Sequence, residues 1–276
     1  MCGMENGQST GKVVFITGAS SGIGKSIATH LSENGFKVYG TSRNPSKNPN
    51  SPFELVALDV TSPESIRQAI SQVSEKEGKI DILINNAGVG ITGPIEETPE
   101  SEIKKAFETN YFGPLNVIKN TVPLMRKQGG GLIINITSIA GYMGLPYRGI
   151  YSATKGALEI TAEAYRMELK QFGIKMTNIA PGDFATNIAA GRYHAPVLED
   201  SPYRKAYGDT LQLMNEHVSA GQDPDLMAKA VLKVIAEDDP KVHYKIGDFL
   251  QKFSVKLKGL LPDKMYEKML MKHYKL

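Results

Sequence analysis

Cysteine, long apolar runs and net charge are all scarce in this chain. Cys2 is the only cysteine, which excludes an intrachain disulfide and a cysteine-based metal cluster. No apolar stretch approaches the roughly 20 residues that a membrane-spanning helix needs. The polar N-terminal residues MCGMENGQSTGK lack the apolar core of a signal peptide. We therefore expect a cytoplasmic protein with no metal site.

The charge balance also limits the class of partner. A formal net charge of +3, with no basic stripe interleaved with aromatic residues in the first 240 residues, argues against nucleic acid. At 276 residues, 41% apolar and 22% charged, the chain can bury a sizeable core. We expect a disordered leader (1–10), a single domain (11–247) and a basic amphipathic C-terminal extension (248–276).

Strand-like and helix-like segments alternate along most of the chain. This alternation is typical of an α/β fold with a doubly wound, mostly parallel sheet and helices on both faces. Ser62-Pro63-Glu64 begins one helix, and Thr98-Pro99-Glu100 begins a longer one. Because Gly113-Pro114 interrupts the longer helix, we expect a kink or bulge near Asn110. Seven strands are expected, over 13–16, 36–42, 53–58, 81–84, 132–136, 174–179 and 241–246.

A glycine-rich turn follows the first strand in the sequence VVFITGASSGIG. Gly18, Gly22 and Gly24 lie between this strand and a helix that reaches Leu31. Such a turn brings free backbone N–H groups together at a helix N-terminus, where they can bind a pyrophosphate. The alternative is a tight turn with no ligand.

Further polar features occur in a fixed order, mostly at strand ends. They are Asp59, Asn85-Asn86-Ala87-Gly88, Asn110, Ser138, Tyr151 with Lys155, Pro181-Gly182 and Thr186. A Tyr-x-x-x-Lys by itself is expected by chance about once in this composition, so the order carries the weight. With the glycine-rich turn, the set resembles the short-chain dehydrogenase/reductase family from about Lys12 to Gly247. The resemblance implies a Rossmann fold, a nicotinamide cofactor, and a homodimer or homotetramer formed through helices 99–128 and 151–172.

Four of these residues are the expected catalytic set. Tyrosine has a pKa of about 10, and a nearby ammonium favours its phenolate form. Tyr151 and Lys155 are four apart and so share one face of a helix. As the resemblance implies, Tyr151 is the general acid/base, Lys155 tunes it and binds the nicotinamide ribose, Ser138 hydrogen-bonds the substrate oxygen, and Asn110 anchors a proton-relaying water. Each could instead have a purely structural role.

The second strand indicates which cofactor is bound. An acidic residue at its end would select NAD, but Thr41-Ser42-Arg43-Asn44 contains none. Arg43 is placed to pair with a 2′-phosphate, assisted by the hydroxyls of Ser20, Ser21 and Ser42. NADP(H) is therefore the expected cofactor; the alternative is that Arg43 is a solvated loop charge.

The resemblance implies the remaining cofactor contacts. Asp59 and Val60 would contact the adenine, although Asp59 could instead serve the turn in which it lies. Other expected contacts come from the glycine-rich turn, the adenosine-side wall and the segments near the nicotinamide: Ile23, Asn86, Ala87, Gly88, Thr137, Pro181, Gly182 and Thr186.

Two segments are expected to contact the substrate. The loop after Ser138 offers Tyr142, Met143, Leu145 and Tyr147, with Arg148 as its only charge. Residues 183–222 form a lid. This composition favours a bulky apolar substrate of steroid, retinoid or lipid type; the alternative is that the apolar side chains form core beneath the lid.

The expected function is NADP(H)-dependent interconversion of a small-molecule ketone or aldehyde and an alcohol by hydride transfer. The alternatives are a 3-oxoacyl-acyl-carrier-protein reductase-like enzyme and a catalytically silent nucleotide-sensing protein. The lysine-rich extension could contact a membrane surface, although such tails more often fold back over the body or the cleft.

Overall fold

A computed structural model describes residues 11–184, 191–219 and 221–276, without the side chains of residues 217–219. The predicted leader (1–10) and Thr186 lie outside the described residues. In the part of the chain that is described, no helix is both long and apolar enough to cross a membrane, and no cluster of three or more His, Cys, Asp or Glu side chains is arranged to hold a metal ion.

The core of the protein is a seven-stranded sheet in which every neighbouring pair of strands is parallel. The strand order is β3-β2-β1-β4-β6-β7-β9, which confirms the doubly wound prediction. The strands are β1 (Val13–Ile16), β2 (Lys37–Ser42), β3 (Glu54–Ala57), β4 (Ile82–Asn85), β6 (Gly131–Ile136), β7 (Ile174–Pro181) and β9 (His243–Ile246).

Two hydrophobic layers cover the two faces of this sheet. Side chains alternate across β1, so that Phe15 faces one layer and Ile16 faces the other. Helices α2 (Pro63–Glu77), α4 (Gly113–Lys127) and α5 (Gly149–Leu169) cover the face of Phe15. Helices α1 (Gly22–Glu33) and α7 (Asp225–Ile235) cover the face of Ile16.

The strand order reverses beside β1, because β2 lies on one side of it and β4 on the other. The chain segments that leave β1 and β4 therefore diverge and open a crevice at the carboxyl edge of the sheet. The glycine-rich turn and the Asn86-Ala87-Gly88 segment follow these two strands directly. This topology brings the predicted site residues together.

A single π-helical turn, Glu108–Phe112, separates α3 (Glu100–Phe107) from α4, which confirms the interruption expected near Asn110. A Cβ at Gly113 would lie 3.1 Å from the backbone oxygen of Glu108 and from the Val60 side chain. The absence of a side chain at Gly113 therefore lets this irregular turn pack closely.

Several elements were not expected from the sequence. A second, two-stranded parallel sheet pairs β5 (Ile91–Thr92) with β8 (Tyr193–His194). The segment predicted to form a lid (183–222) contains α6 (Arg204–Ser219), and the C-terminal extension forms α8 (Phe249–Leu260) and α9 (Asp263–His273). The last strand of the main sheet begins at His243, two residues later than expected.

Candidate active site

Hydrogen bonds join the turn after β1 to the segment after β4. The Thr17 hydroxyl accepts from the backbone N–H groups of Asn86 (3.0 Å) and Ala87 (3.1 Å). In return, the Asn86 amide donates to the backbone oxygens of Thr17 (3.0 Å) and Gly18 (2.9 Å). Gly18 has φ +68°, and a Cβ there would lie 2.9 Å from the Ala87 Cα. Only glycine suits that position, because both the conformation and the close backbone approach exclude a side chain.

The N-terminus of α1 presents its backbone N–H groups beside this turn. Ser21 precedes the helix in an extended conformation, and its hydroxyl forms no capping hydrogen bond. The first turn of α1 contains no acidic residue, and a Cβ at Gly24 would lie 2.3 Å from the backbone oxygen of Gly18. This end of the helix suits an anion such as a pyrophosphate.

One cleft brings together three of the four predicted catalytic residues and several of the predicted cofactor contacts. It encloses roughly 690 Å³, including the space at its open mouth, within the usual size range of small-molecule sites. Ser138, Tyr151 and Lys155 line it together. Its other predicted lining residues are Ile23, Asn86, Gly88, Thr137, Pro181 and Gly182.

Lys155 is almost buried at the base of this cleft, with 5% of its surface exposed. Its ammonium donates a hydrogen bond to the backbone oxygen of Ile136 at 3.1 Å. A Cβ at Gly88 would lie 3.4 Å from the Lys155 Nζ, so the backbone of the Asn86-Ala87-Gly88 segment runs directly past the ammonium. Tyr151 lies one helical turn earlier on the same face of α5.

The side chain of Asn110 is fully buried and already engaged. Its Nδ2 donates to the backbone oxygen of Val89 (2.8 Å) and to the Thr154 hydroxyl (3.1 Å), and its Oδ1 accepts from the Val89 N–H (2.8 Å). The side chain thus fastens the π-helical turn to the segment after β4 and to α5. The water-binding role expected of Asn110 stays a prediction.

Ser138 and Thr137 follow β6 and point in different directions. The Ser138 hydroxyl accepts from the Ala140 N–H at 3.2 Å and lies in the cleft lining. The Thr137 hydroxyl donates to the buried carboxylate of Glu159 on α5. Thr137 therefore connects the carboxyl edge of the sheet to a polar network that includes Glu159.

That network centres on Glu159, which is 3% exposed. Its carboxylate lies 2.7 Å from the His243 Nδ1 and accepts from the Asn178 amide at 2.9 Å. The His243 Nε2 lies 3.0 Å from the Glu163 carboxylate. These contacts, led by the hydrogen bond to Glu159, raise the pKa of His243. His243 and Asn178 thus compensate the buried negative charge of Glu159, which lies one helical turn beyond Lys155.

The comparison with known proteins decides the family. A family model described as short chain dehydrogenase matches residues 12–196. The chain belongs to the short-chain dehydrogenase/reductase family. This is an oxidoreductase family that uses nicotinamide cofactors.

One curated relative is similar over nearly the whole chain. The 3-ketodihydrosphingosine reductase of Bacteroides thetaiotaomicron is 40% identical over 257 residues, which cover 93% of this chain and 95% of the relative.

Solved structures agree with the fold. A short-chain dehydrogenase from Streptomyces avermitilis has a TM-score of 0.82 and 32% identity, covering 96% of this chain and 98% of its own. A Burkholderia cenocepacia short-chain dehydrogenase in complex with NADP has a TM-score of 0.72 and 25% identity, covering 96% of this chain and 98% of its own. A Burkholderia phymatum member of the family in complex with NAD has a TM-score of 0.79 and 25% identity, covering 91% and 94%.

The structure places three of the four expected substrate residues outside the cleft lining. Tyr142, Met143 and Leu145 belong to a hydrophobic cluster that packs against α8 and α9. The Tyr142 hydroxyl lies 3.1 Å from the His243 Nδ1, and burial together with Glu159 and Glu163 raises the pKa of Tyr142. These contacts match the alternative considered for the three side chains, that of core residues, and their contact with substrate stays a prediction. Nothing in the loop pattern distinguished the two roles.

Tyr147 packs differently from those three. It has φ +55°, and its ring packs against Tyr207 (5.2 Å between centroids) and Tyr203 (6.4 Å) of the segment predicted to form a lid. Its contact with substrate stays a prediction.

Sequence reasoning missed two charged residues of the cleft, Asp183 and Arg192. Arg192 and Asp183 line the cleft with Arg148, whose guanidinium carbon lies 5.4 Å from the Tyr151 ring centre. Burial raises the pKa of Tyr274, near the end of the chain, and the nearby Arg148 opposes that rise. Arg192 reaches the cleft because Gly90 leaves room for its side chain; a Cβ at Gly90 would lie 2.7 Å from the Arg192 Nε.

The buried guanidinium of Arg192 is the second positive charge of the cleft. The Nη1 of Arg192 is buried and has no hydrogen-bond partner among the described residues. Burial and the nearby Arg148 lower the pKa of Arg192. The segment 183–222 therefore adds two opposite charges to the cleft, Asp183 and Arg192, beyond the single arginine of the loop.

Arg43 is exposed after β2, as the sequence indicated. Beside the glycine-rich turn, a separate surface cavity is lined by Ser20, Lys25 and Lys47. Among the described residues, Arg43, Lys25 and Lys47 have no carboxylate within 4.0 Å. The Ser42 hydroxyl accepts from the Asn44 N–H at 3.2 Å. The region at the end of β2 is thus more cationic than Arg43 alone indicated.

Asp59 has the contacts of a turn residue. Its Oδ1 accepts from the N–H (2.9 Å) and the hydroxyl (2.7 Å) of Thr61. This is the alternative role considered for the residue, and its contact with adenine stays a prediction.

Proposed function

We propose that this protein is an NADP(H)-dependent oxidoreductase that interconverts a ketone or aldehyde and an alcohol by hydride transfer, on a bulky, lipid-like substrate. One observation carries the proposal: Ser138, Tyr151 and Lys155 line one cleft that also reaches the glycine-rich turn. A hydrogen-bond donor, a proton donor and an ammonium beside a dinucleotide-binding turn are what carbonyl reduction requires.

The residues present fit the cofactor. The bare backbone at Gly18, Gly22 and Gly24 and the N-terminus of α1 would bind the pyrophosphate. Lys155 would bind the nicotinamide ribose, with Pro181, Gly182 and Thr186 near the carboxamide and Asn86, Ala87 and Gly88 along the adenosine side. When bound, NADPH supplies the hydride.

Side chains of the protein would transfer the proton to the substrate oxygen. In the direction of reduction, the Ser138 and Tyr151 hydroxyls donate hydrogen bonds to the carbonyl oxygen, and Tyr151 then transfers its proton to that oxygen. The Lys155 ammonium stabilises the phenolate that remains. Asn110 holds the segment after β4 and α5 in register, and it is the proposed anchor of a relaying water. Oxidation of the alcohol follows the same steps in reverse.

Preference for NADP(H) over NAD(H) rests on charge at the end of β2. Arg43, Lys25 and Lys47 provide cations for a 2′-phosphate, and none of them pairs with a carboxylate in the part of the chain that the structure describes. The sequence at the end of β2 has no carboxylate that would bind a free ribose hydroxyl.

Parallel fluorescence titrations of the purified protein with NADPH and NADH test this preference. We expect NADPH to bind at least about tenfold more tightly, with Arg43→Ala removing most of the difference, as the loss of one charge-assisted phosphate contact would. Arg67→Ala, a surface arginine paired with Glu64 on α2, is the matched control. Equal binding of NADPH and NADH would show that Arg43 is only a loop charge.

The similarity to the 3-ketodihydrosphingosine reductase of Bacteroides supports a long-chain ketone as substrate. 3-Ketodihydrosphingosine is therefore the first compound to assay, followed by steroid and retinoid ketones. A 3-oxoacyl-acyl-carrier-protein substrate is the alternative within the family, and loss of NADPH upon addition of each substrate distinguishes them. Binding of NADPH without turnover of any carbonyl compound would favour a nucleotide-sensing protein instead.

The proposed organisation is a catalytic domain over 11–247, a substrate lid over 183–222 and a C-terminal extension over 248–276. The proposed assembly is a homodimer or homotetramer in the cytoplasm. Ile160 and Met167 on α5, 70% and 72% exposed, support self-association through that helix.

A further inference from the structure

The outer face of α8 is apolar although it is exposed. Phe249 and Leu250 are 74% and 76% exposed, and Leu260 is 75% exposed. Phe253, 39% exposed, stacks its ring on that of Phe249 with centroids 5.6 Å apart. Soluble surfaces normally scatter such residues singly, so four on one twelve-residue helix form an unusual patch.

The helical repeat places these four side chains together. At 3.6 residues per turn, they lie within an arc of about 100° on one side of α8. Lys252 and Lys256 flank this arc and are exposed. The opposite side of the helix faces the protein, where Val255 packs against the cluster beneath α8 and α9. Leu257, which lies within the arc, packs against the same cluster. The helix therefore has one apolar face for the core and a second for something outside the chain.

Positive charge is concentrated in the same segment. Residues 249–276 contain seven lysines and two acidic residues, a net charge of +5, whereas the whole chain carries +3. The other 248 residues therefore carry −2. Lys264, Lys268 and Lys272 lie on one exposed side of α9.

We propose that α8 and α9 form a docking surface for an anionic phospholipid membrane. The Phe249, Leu250, Phe253 and Leu260 side chains enter the boundary between headgroups and acyl chains, while the flanking lysines contact the anionic headgroups. A second copy of this chain is a poorer occupant, because a symmetric pairing would bring two segments of charge +5 together.

The apolar face of α8 lies close to the cleft. The Gln251 side chain on the inner face of α8 donates to the Asp183 carboxylate at 2.8 Å, and Asp183 lines the cleft. The apolar face thus lies within about one helix diameter, roughly 10 Å, of the cleft. A lipid-like substrate could pass from the membrane to the active site without crossing bulk water. The docking surface itself rests on exposure and charge alone, independently of the proposed activity.

Vesicle flotation of the full-length protein tests the proposal. We expect the protein to bind phosphatidylcholine vesicles containing phosphatidylglycerol about tenfold more strongly than pure phosphatidylcholine vesicles, and high salt to weaken this binding. The double variant Phe249→Ser/Leu250→Ser should lose most of the binding. Lys252→Glu/Lys256→Glu should lose the preference for the anionic lipid.

Leu226→Ser/Val242→Ser is the matched control, because both residues are exposed apolar side chains outside α8 (45% and 38%). It should bind vesicles like the unchanged protein. Equal binding by all variants, or no binding by the unchanged protein, would overturn the proposal. So would a change of oligomeric state in the Phe249→Ser/Leu250→Ser variant without any vesicle binding by the parent, since the patch would then join copies of this chain. Measuring NADPH binding on the same samples separates this result from failure of the proposed activity.

Discussion

At the residue scale, single positions meet two demands at once. Gly18 adopts φ +68° and also lets the Ala87 backbone approach where a Cβ would lie. Gly78, the C-cap of α2, adopts a similar φ of +74° but has no atom within 4 Å of a Cβ position. A comparison of substitutions at Gly18 and Gly78 therefore separates the cost of the left-handed backbone from the cost of a steric clash.

Gly18→Ala should destabilise the protein more than Gly78→Ala. Both changes incur the left-handed backbone penalty of about 1–2 kcal/mol, and Gly18→Ala adds a backbone clash of about 1–3 kcal/mol. Urea denaturation measures the difference, and NADPH titration should show a loss of binding for Gly18→Ala alone. Equal destabilisation by the two changes would contradict the tight turn described here.

The Glu159–His243 pair predicts how stability depends on pH. Because folding raises the pKa of His243, the folded protein holds this proton more tightly than the unfolded chain does. The stabilisation is complete below the ordinary histidine pKa of about 6.5 and is lost as pH rises through the raised pKa. We expect the free energy of unfolding to fall across that interval, and Glu159→Gln to flatten the fall. An unchanged pH profile in Glu159→Gln would show that the pair does not stabilise the fold.

At the scale of elements, the sequence predicted what local signals encode. Gly113-Pro114 marked the interruption that the structure shows as a π-helical turn at Glu108–Phe112. The four-residue spacing of Tyr151 and Lys155 placed both on one face of α5. The two-residue strands β5 and β8 were not predictable, because their pairing joins residues about 100 positions apart and has no periodicity to detect.

The C-terminal helices contribute buried side chains to the core, so a substitution there should lower the free energy of unfolding. Tyr266 on α9 is 2% exposed and contacts Met143 in the cluster beneath the helices. Tyr266→Ala should lower the free energy of unfolding by about 3 kcal/mol, the usual cost of removing a buried aromatic side chain. Leu260→Ala, in the same segment but 75% exposed, should change it by less than about 0.5 kcal/mol. Equal effects would mean that α9 does not pack on the body.

At the scale of the whole molecule, the parallel sheet explains why the motif residues converge. Gly18, Asn86, Ser138 and Pro181 follow or end four different strands, and a parallel sheet brings those ends to one edge. Strand order was thus enough to predict most of the cleft. Arg192 was not predictable, because it reaches the cleft from the segment 183–222 and through the space left at Gly90. The proximity of Tyr274 to Arg148 depends likewise on how α9 folds back.

The most direct test of the central claim compares turnover and cofactor binding in Tyr151→Phe. We expect NADPH binding close to that of the unchanged protein, and reduction of 3-ketodihydrosphingosine slower by about 10²–10⁴-fold, the usual contribution of a general acid. Tyr165→Phe, on the same helix and packed against the core, should keep its activity. Ketone reduction at an unchanged rate in Tyr151→Phe would contradict the mechanism.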